Sequence, residues 1–546
     1  MPIRFRAADL ALLALALLAV AVGGWRLAGL DDGLAIETHR VGATPVTVTR
    51  PAESGPDARA PAVLIAHGFA GSRQLMQPFA ATLARAGYVA VNFDFLGHGA
   101  HPRPLTGDVS TEDGATRNLL DQMTEVAAFA RAHPASDGRL ALLGHSMGSD
   151  IVVRFAQADG DVAATVAVSM FAPTVTAETP ANLLVIVGGL EPAMLKDEGR
   201  RAVGMVAGST EPDSPGVAPG ETYGRFAEGT ARRLVLAGGV EHIGVLYSED
   251  SLVAARDWLD ATFQAAGGPS PLAPAAAAPV DGRLAWLGLT LLGIVVAGRP
   301  LSRVLPRVAG PATADAAPAP ARSWRGFLAV AAGPSLLTPL ILWPLPTSFL
   351  PILLGDYLTA HFAVYGALTG LGLLWWHKRG RADEPPSGSA GGRRVAWPAF
   401  AAASAAVTAY AVLAVGLPID RFFTAFVPIP ERWPLIAAVL VGTLPYFLAD
   451  EALVRDPRAP RLAYPVTKAF LMVSLAIAVA LDLQRLFFLI ILIPVIVIFL
   501  AIYGLFSGWT WRRTGHRAVG GLALAIAFAW AIAATFPMID PSALPG

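Results

Sequence analysis

Two patterns of apolar residues divide the chain. From residue 33 to 265, short apolar runs alternate with amphipathic stretches. From 284 to 537 the apolar runs lengthen towards the roughly 17–25 residues that cross a membrane as a helix. In the first region, residues 34–49 read as two β-strands. Residues 62–66, 88–95, 140–144, 164–169, 182–187 and 233–237 read as further strands. Residues 74–86, 116–132, 146–158 and 245–263 carry helical spacing. This alternation predicts an α/β fold for 33–265, with a doubly wound, mostly parallel sheet. In such sheets the chemistry gathers at the carboxyl ends of the strands. His67, Asp94, Ser146, Glu191 and His242 all fall just past such ends.

The second region, 284–537, predicts an all-α transmembrane domain. Eight runs are candidate spans, at 284–298, 326–343, 349–376, 397–416, 434–449, 466–481, 486–507 and 518–537. Another apolar run, 10–24, follows Arg4 and Arg6. Residues 1–30 therefore read as a signal anchor, or as a signal peptide cut near Ala19-Val20-Ala21. Apolar residues running on through Trp25 to Leu30 favour the uncleaved anchor. Residues 266–283, rich in Pro and Ala, form a linker between the two regions.

Charge orients this arrangement. With the N-terminus inside, the inward segments are 1–6, 299–325, 377–396, 450–468 and 509–517, and they carry 19 Lys and Arg residues. The outward segments 344–348, 417–433, 482–485 and 538–546 carry 3. This asymmetry follows the positive-inside rule, and it places the α/β region and the C-terminus outside the cytoplasm. Trp343, Trp375, Trp376, Trp433, Trp509 and Trp511 stand at span ends, as interfacial anchors do. Asp356, Tyr357 and His361 lie in the span 349–376. The simplest reading starts that span near Asp356, at the outer interface.

Composition adds exclusions. The chain is 15% charged, against about 25% in soluble proteins, and its net charge of zero favours no nucleic-acid partner. Without cysteine it has no disulfide, no thiolate metal ligand and no cysteine nucleophile.

The apolar run at 140–144 ends in Gly144-His145-Ser146-Met147-Gly148, a G-x-S-x-G pattern, and helical spacing follows. This is the spacing of a nucleophile elbow. Small residues two before and two after the serine let a strand and a helix approach closely, and the hydroxyl projects from a tight turn. With 54 glycines in the chain the pattern alone is weak, and its setting between strand and helix gives it weight.

Residues 60–263 resemble an α/β-hydrolase. The resemblance rests on His67-Gly68-Phe69, on F-D-F-L-G-H-G at 93–99, on the elbow at 144–148, on V-G-G-L-E at 187–191 and on E-H-I-G at 241–244. It covers under half the chain. It implies Ser146 as nucleophile and His242 as its base, followed by a carboxylate that orients the imidazole. The family often has G-x-x-D at the carboxylate position. Here Gly188-Gly189-Leu190-Glu191 stands there, so Glu191 takes the role and departs from the more usual Asp. Asp197 and Glu241 are rivals, although Glu241 needs an unusual turn to reach its neighbour's ring. The resemblance also implies an oxyanion hole of the Phe69 and Met147 backbone N–H groups. Gly68, Gly144 and Gly148 shape the backbone beside it. His67 and Asp94 read as braces of the site loops. His98 and His101 belong to the same loop, and neither metal nor cofactor is expected.

These readings predict a membrane-embedded serine hydrolase acting outside the cytoplasm on an ester, thioester or amide. The substrate would be a small or lipid-like acyl compound, with membrane lipid as the neighbour. One alternative is an acyltransferase using the same acyl-enzyme. Another is a non-catalytic binding module on a transporter or scaffold. Only about a dozen residues separate the strands at 164–169 and 182–187, which leaves no room for a long lid. The segment 207–224, or the membrane surface, would then cover the site.

Overall fold

The computed structural model describes residues 5–53, 58–108, 112–208, 216–267, 279–309, 324–382, 395–456 and 459–540. Among them, nine strands form one sheet: β1 (Leu34–Val41), β2 (Thr44–Pro51), β3 (Ala60–Ala66), β4 (Val89–Phe93), β5 (Ser136–His145), β6 (Val162–Val168), β7 (Leu183–Gly188), β8 (Thr222–Tyr223) and β9 (Arg232–Ala237). Their spatial order is β1-β2-β4-β3-β5-β6-β7-β9-β8. From β4 to β9 the pairing is parallel, and antiparallel pairing joins only β1 to β2, β2 to β4 and the short β8 to β9. Strands β3 and β7 are buried at every position, because helices cover both faces and the sequence is apolar without alternation.

The helix α1 (Ala7–Ala28) precedes the sheet. Helices α2 (Gln77–Arg85) and α6 (Glu249–Ala265) pack on one face, around Phe79, Tyr88, Trp258 and Phe263. Helices α3 (Arg117–Ala132) and α4 (Met147–Ala158) pack on the other, around Phe93, Met123, Val152 and Phe155. The helix α5 (Ala193–Ala207) follows β7 and packs on β7 and β9.

The C-terminal helices are α7 (Arg283–Leu301), α8 (Trp324–Leu342), α9 (Gly355–Ala382), α10 (Trp397–Ala409), α11 (Val415–Phe422), α12 (Trp433–Val454), α13 (Ala463–Leu481), α14 (Leu483–Thr514) and α15 (Arg517–Thr535). A turn of π-helix joins α10 to α11 in a single span, 397–422. With α1, nine spans among the described residues are long and apolar enough to cross a membrane, as in a multi-pass membrane protein. Helix α1 lies against α7. A Cβ on Gly293 would come 2.7 Å from the Ala16 carbonyl, so only a small residue permits this crossing.

Two details bear on the sequence pattern. The apolar run from 349 is non-helical until Gly355, as a span starting near Asp356 requires, because Pro351 and a left-handed Leu354 (φ 63°) interrupt it. Asp356 then lies in the first turn of α9, where the helix dipole favours a carboxylate. Lys468, counted with the loops, is buried inside α13 and paired with Asp450 of α12.

Candidate active site

Strand β5 delivers Ser146 at its carboxyl end. The serine holds φ 53° and ψ −121°, in the left-handed half of the map, and α4 begins at the next residue. This turn requires the flanking glycines. A Cβ on Gly144 would strike the Gly148 carbonyl, and one on Gly148 would come 2.5 Å from the His67 carbonyl. A Cβ on Gly68 would come 2.9 Å from the serine Cβ, so His67-Gly68-Phe69 lies directly alongside. Met147 is the first residue of α4, and Phe69 follows Gly68 in the segment alongside the serine.

His242 lies beyond β9, in the loop before α6. Its Nε2 is 3.0 Å from Ser146 Oγ, and its Nδ1 is 2.5 Å from Glu191 Oε1. Glu191 follows β7 and is buried. Its Oε2 accepts from the Gly188 N–H (2.6 Å) and the Ser169 hydroxyl (2.9 Å), which fixes the carboxylate plane. The structure thus draws Ser146, His242 and Glu191 into one hydrogen-bonded row. The two rivals are engaged elsewhere. Asp197 pairs with Arg200 (2.9 Å), and Glu241 accepts from the Ile243 and Gly244 N–H groups, each at 2.8 Å.

The surrounding histidines hold loops in place. His67 Nδ1 donates to the Gly68 carbonyl (2.8 Å) and its Nε2 accepts from the Phe95 N–H (3.0 Å). Burial lowers its pKa, against the pull of Asp94, and a neutral imidazole suits this donor–acceptor pattern. Asp94 accepts from the Arg73 N–H (2.7 Å) and the Ala100 N–H (3.0 Å) and pairs with the Arg73 guanidinium. His98 lies in the same loop and bonds the Leu96 carbonyl (2.8 Å); His101 Nδ1 accepts from the Arg103 N–H (3.1 Å). Burial holds the pKa of His98 well below the ordinary value.

Sequence reasoning passed over two polar supports. His145, inside the elbow itself, donates from Nε2 to the His242 carbonyl (2.9 Å), and burial keeps it neutral. Ser169 follows β6 and orients Glu191. Its place just past a strand end was the available signal.

Residues 57–195 match the family model described as Serine aminopeptidase, S33. This stretch is similar to that family, and the mostly parallel sheet around it is α/β-hydrolase-like. Among solved structures, a Klebsiella pneumoniae protein described as a dienelactone hydrolase is 17% identical, with a TM-score of 0.31, over 43% of this chain and 99% of its own. A CIB-like hydrolase from Thermoplasma acidophilum is 18% identical, with a TM-score of 0.29, over 42% and 99%. An epoxide hydrolase from Vigna radiata is 19% identical, with a TM-score of 0.20, over 26% and 40%. No curated protein matches the chain.

The hydrolase domain meets the helical bundle at its catalytic edge. Phe69 stacks on Phe488 near the start of α14, with ring centroids 4.3 Å apart and planes at 21°. Ser72 bonds the Thr424 hydroxyl (3.1 Å) and the Ala425 N–H (2.9 Å). Tyr247 stacks on Phe423 at 5.7 Å. Arg432, fully buried, donates to the Gly97 carbonyl (2.8 Å) and to the Ala533 (2.7 Å) and Phe536 (2.8 Å) carbonyls of the bundle. The expected flap lies at 207–224. Residues 209–215 lie outside the described residues, and Thr222–Tyr223 forms the edge strand β8, held to β9. An apolar side chain at the start of a long apolar helix carries no mark of this contact, so Phe488 is not legible from sequence.

Proposed function

We propose that the chain is a membrane-embedded serine hydrolase that cleaves an acyl bond, an ester, thioester or amide, outside the cytoplasm. The row Ser146–His242–Glu191 carries this reading. Ser146 Oγ attacks the carbonyl carbon as its proton passes to His242 Nε2. Glu191 holds Nδ1–H and stabilises the imidazolium. The Phe69 and Met147 N–H groups receive the oxyanion. Collapse expels the leaving group, which takes the proton from His242. Water, deprotonated by His242, then attacks the acyl-serine and releases the acid, and Ser146 regains its proton.

The contact between Phe69 and Phe488 supports a substrate that reaches the site from the bilayer. Phe488 of the bundle touches the residue whose N–H is the proposed oxyanion donor. Phe171, Leu190 and Met194 are exposed beyond β6 and β7, on the same edge of the sheet. An amphiphilic acyl compound with its tail in the membrane fits both features. The outward placement rests on the skewed Lys and Arg residues of the connecting segments.

The test applies an impermeant fluorophosphonate to intact cells expressing wild type, Ser146→Ala or His242→Ala. Labelling of the wild type alone is expected. Labelling only after lysis reverses the orientation, and none in either state removes the serine mechanism. Faster turnover of long-chain than of short soluble esters, in bilayers, tests the substrate class.

A further inference from the structure

The bundle carries a second cavity far from the hydrolase domain. A groove of about 540 Å³ runs between α13 and α14. Its walls are apolar, with Met472, Val497 and Leu505 among them, and Leu505 is exposed on the outer surface of the bundle. Its head holds three cations, Arg455, Lys468 and Arg512, around Tyr464. On α14, Gly504, Gly508 and Arg512 follow one another at four-residue spacing, so they share the face turned to the groove.

Each part of the head is fixed. A Cβ on Gly504 would strike the Tyr464 ring, so this glycine makes the notch in which the ring sits. The Tyr464 hydroxyl donates to the Leu500 carbonyl (2.6 Å). Lys468 lies 4.5 Å and Arg455 5.2 Å from the ring centroid, so the ring holds both cations at the groove. Behind them, Lys468 pairs with Asp450, and Arg455 bonds Glu451 (3.2 Å) and the Gly504 carbonyl (3.1 Å). Both carboxylates are buried in α12 and lie outside the groove lining. Among the described residues Arg512 takes part in no hydrogen bond or ion pair, so three cations face two carboxylates and the surplus charge lies at the open side.

We propose that this groove binds one anionic phospholipid. The phosphate sits among Arg512, Lys468 and Arg455, and an acyl chain lies along Met472, Val497 and Leu505. Guanidinium and ammonium groups supply charge-assisted hydrogen bonds to phosphate oxygens, and the apolar walls match a lipid tail rather than a soluble anion. The position agrees with a headgroup site. Phe488, at the hydrolase end of α14, is 20 residues before Gly508. At about 1.5 Å per residue this is about 30 Å, the thickness of a hydrocarbon core. The groove head therefore lies at the level of the leaflet opposite the hydrolase domain.

The full-length protein in neutral detergent tests this by native mass spectrometry and thermal unfolding with dioleoyl-phosphatidylglycerol or dioleoyl-phosphatidylcholine. Phosphatidylglycerol is expected to stay bound and to raise the unfolding temperature, whereas phosphatidylcholine does neither at equal concentration. Arg512→Gln removes the uncommitted cation and lowers phosphatidylglycerol affinity about fivefold. Ala501→Trp fills the groove from an exposed position and abolishes binding, with circular dichroism and elution volume unchanged. Equal retention of both lipids overturns the proposal, as does unchanged binding in both variants. Displacement of the lipid by millimolar inorganic phosphate also overturns it, in favour of a soluble anion.

Discussion

The hydrolase domain and the helical bundle bury polar groups for different ends. In the hydrolase domain they converge. Ser169 and the Gly188 N–H hold Glu191, Glu191 holds His242, and His242 faces the Ser146 hydroxyl. In the bundle they tie helix to helix. Lys468 joins α13 to α12, the His361 ring reaches Ser474 (3.1 Å), and Arg432 clasps three carbonyls. A convergent network ends on a group that can react. A cross-linking network ends on itself, because in a membrane interior every polar group must find its partner within the protein. Chemistry is therefore expected to be concentrated in one half of the molecule, and the other half to control access and rigidity.

The largest effects should fall on the convergent network. Ser146→Ala is expected to lower turnover about 10⁴–10⁶-fold and to abolish fluorophosphonate labelling, with folding unchanged. Glu191→Gln should cost about 10⁴-fold, since the amide cannot hold the imidazolium, while Glu241→Gln should stay within a few-fold. Comparable losses for the two glutamates would break the contrast, because they would mean that the loop and not the row matters. Next comes the tie between the halves. Arg432→Met leaves the Gly97, Ala533 and Phe536 carbonyls without their donor and should cost about 3 kcal/mol, read as a lower thermal midpoint.

The pH response should separate the halves further. His98 and His145 are held well below the ordinary histidine value of 6.5 by burial, so the unfolded chain takes up protons that the folded domain refuses. Stability is therefore retained above about pH 6.5 and lost as pH falls below it, by up to about 1.4 kcal/mol per unit for each histidine. Hydrogen exchange at pH 7.5 and 5.0 should show faster opening in the sheet at the lower pH. An equal rise throughout the bundle would contradict this. The smallest effect is expected from Phe488→Ala. Loss of the stack on Phe69 is worth about 1 kcal/mol, or roughly fivefold in turnover of bilayer-borne esters, with short soluble esters little affected.

The same division explains what the sequence disclosed. In the hydrolase domain, chemistry-bearing residues follow short strands, and the covalent geometry of an elbow demands glycines at fixed offsets. Ser146, Glu191 and His242 were thus legible at strand ends, and the parallel sheet was legible in the alternation of runs. Strand order was not, because β2 enters beside β4 through pairing that leaves no local pattern. In the bundle the decisive contacts are made by residues that look ordinary. Phe488 is one apolar residue among many in 486–507. Arg432 reads as a loop cation, and Lys468 reads as a loop charge although Asp450 draws it into α13. Their meaning depends on which helix lies next to them, and hydropathy does not record that.

Arg432 has one more consequence. It binds the Gly97 carbonyl of the hydrolase domain and the end of α15 through a single guanidinium, with Ser72 and Phe69 joined to the bundle nearby. The domain is not a tethered float, free to dip and rise, but a fixture at a set height. Such a fixture acts as a ruler. Under the proposed function, a bond standing at the right depth from the bilayer surface would meet Ser146, and a chemically identical bond a few ångströms higher or lower would not. Selectivity can then be written in position as well as in pocket shape.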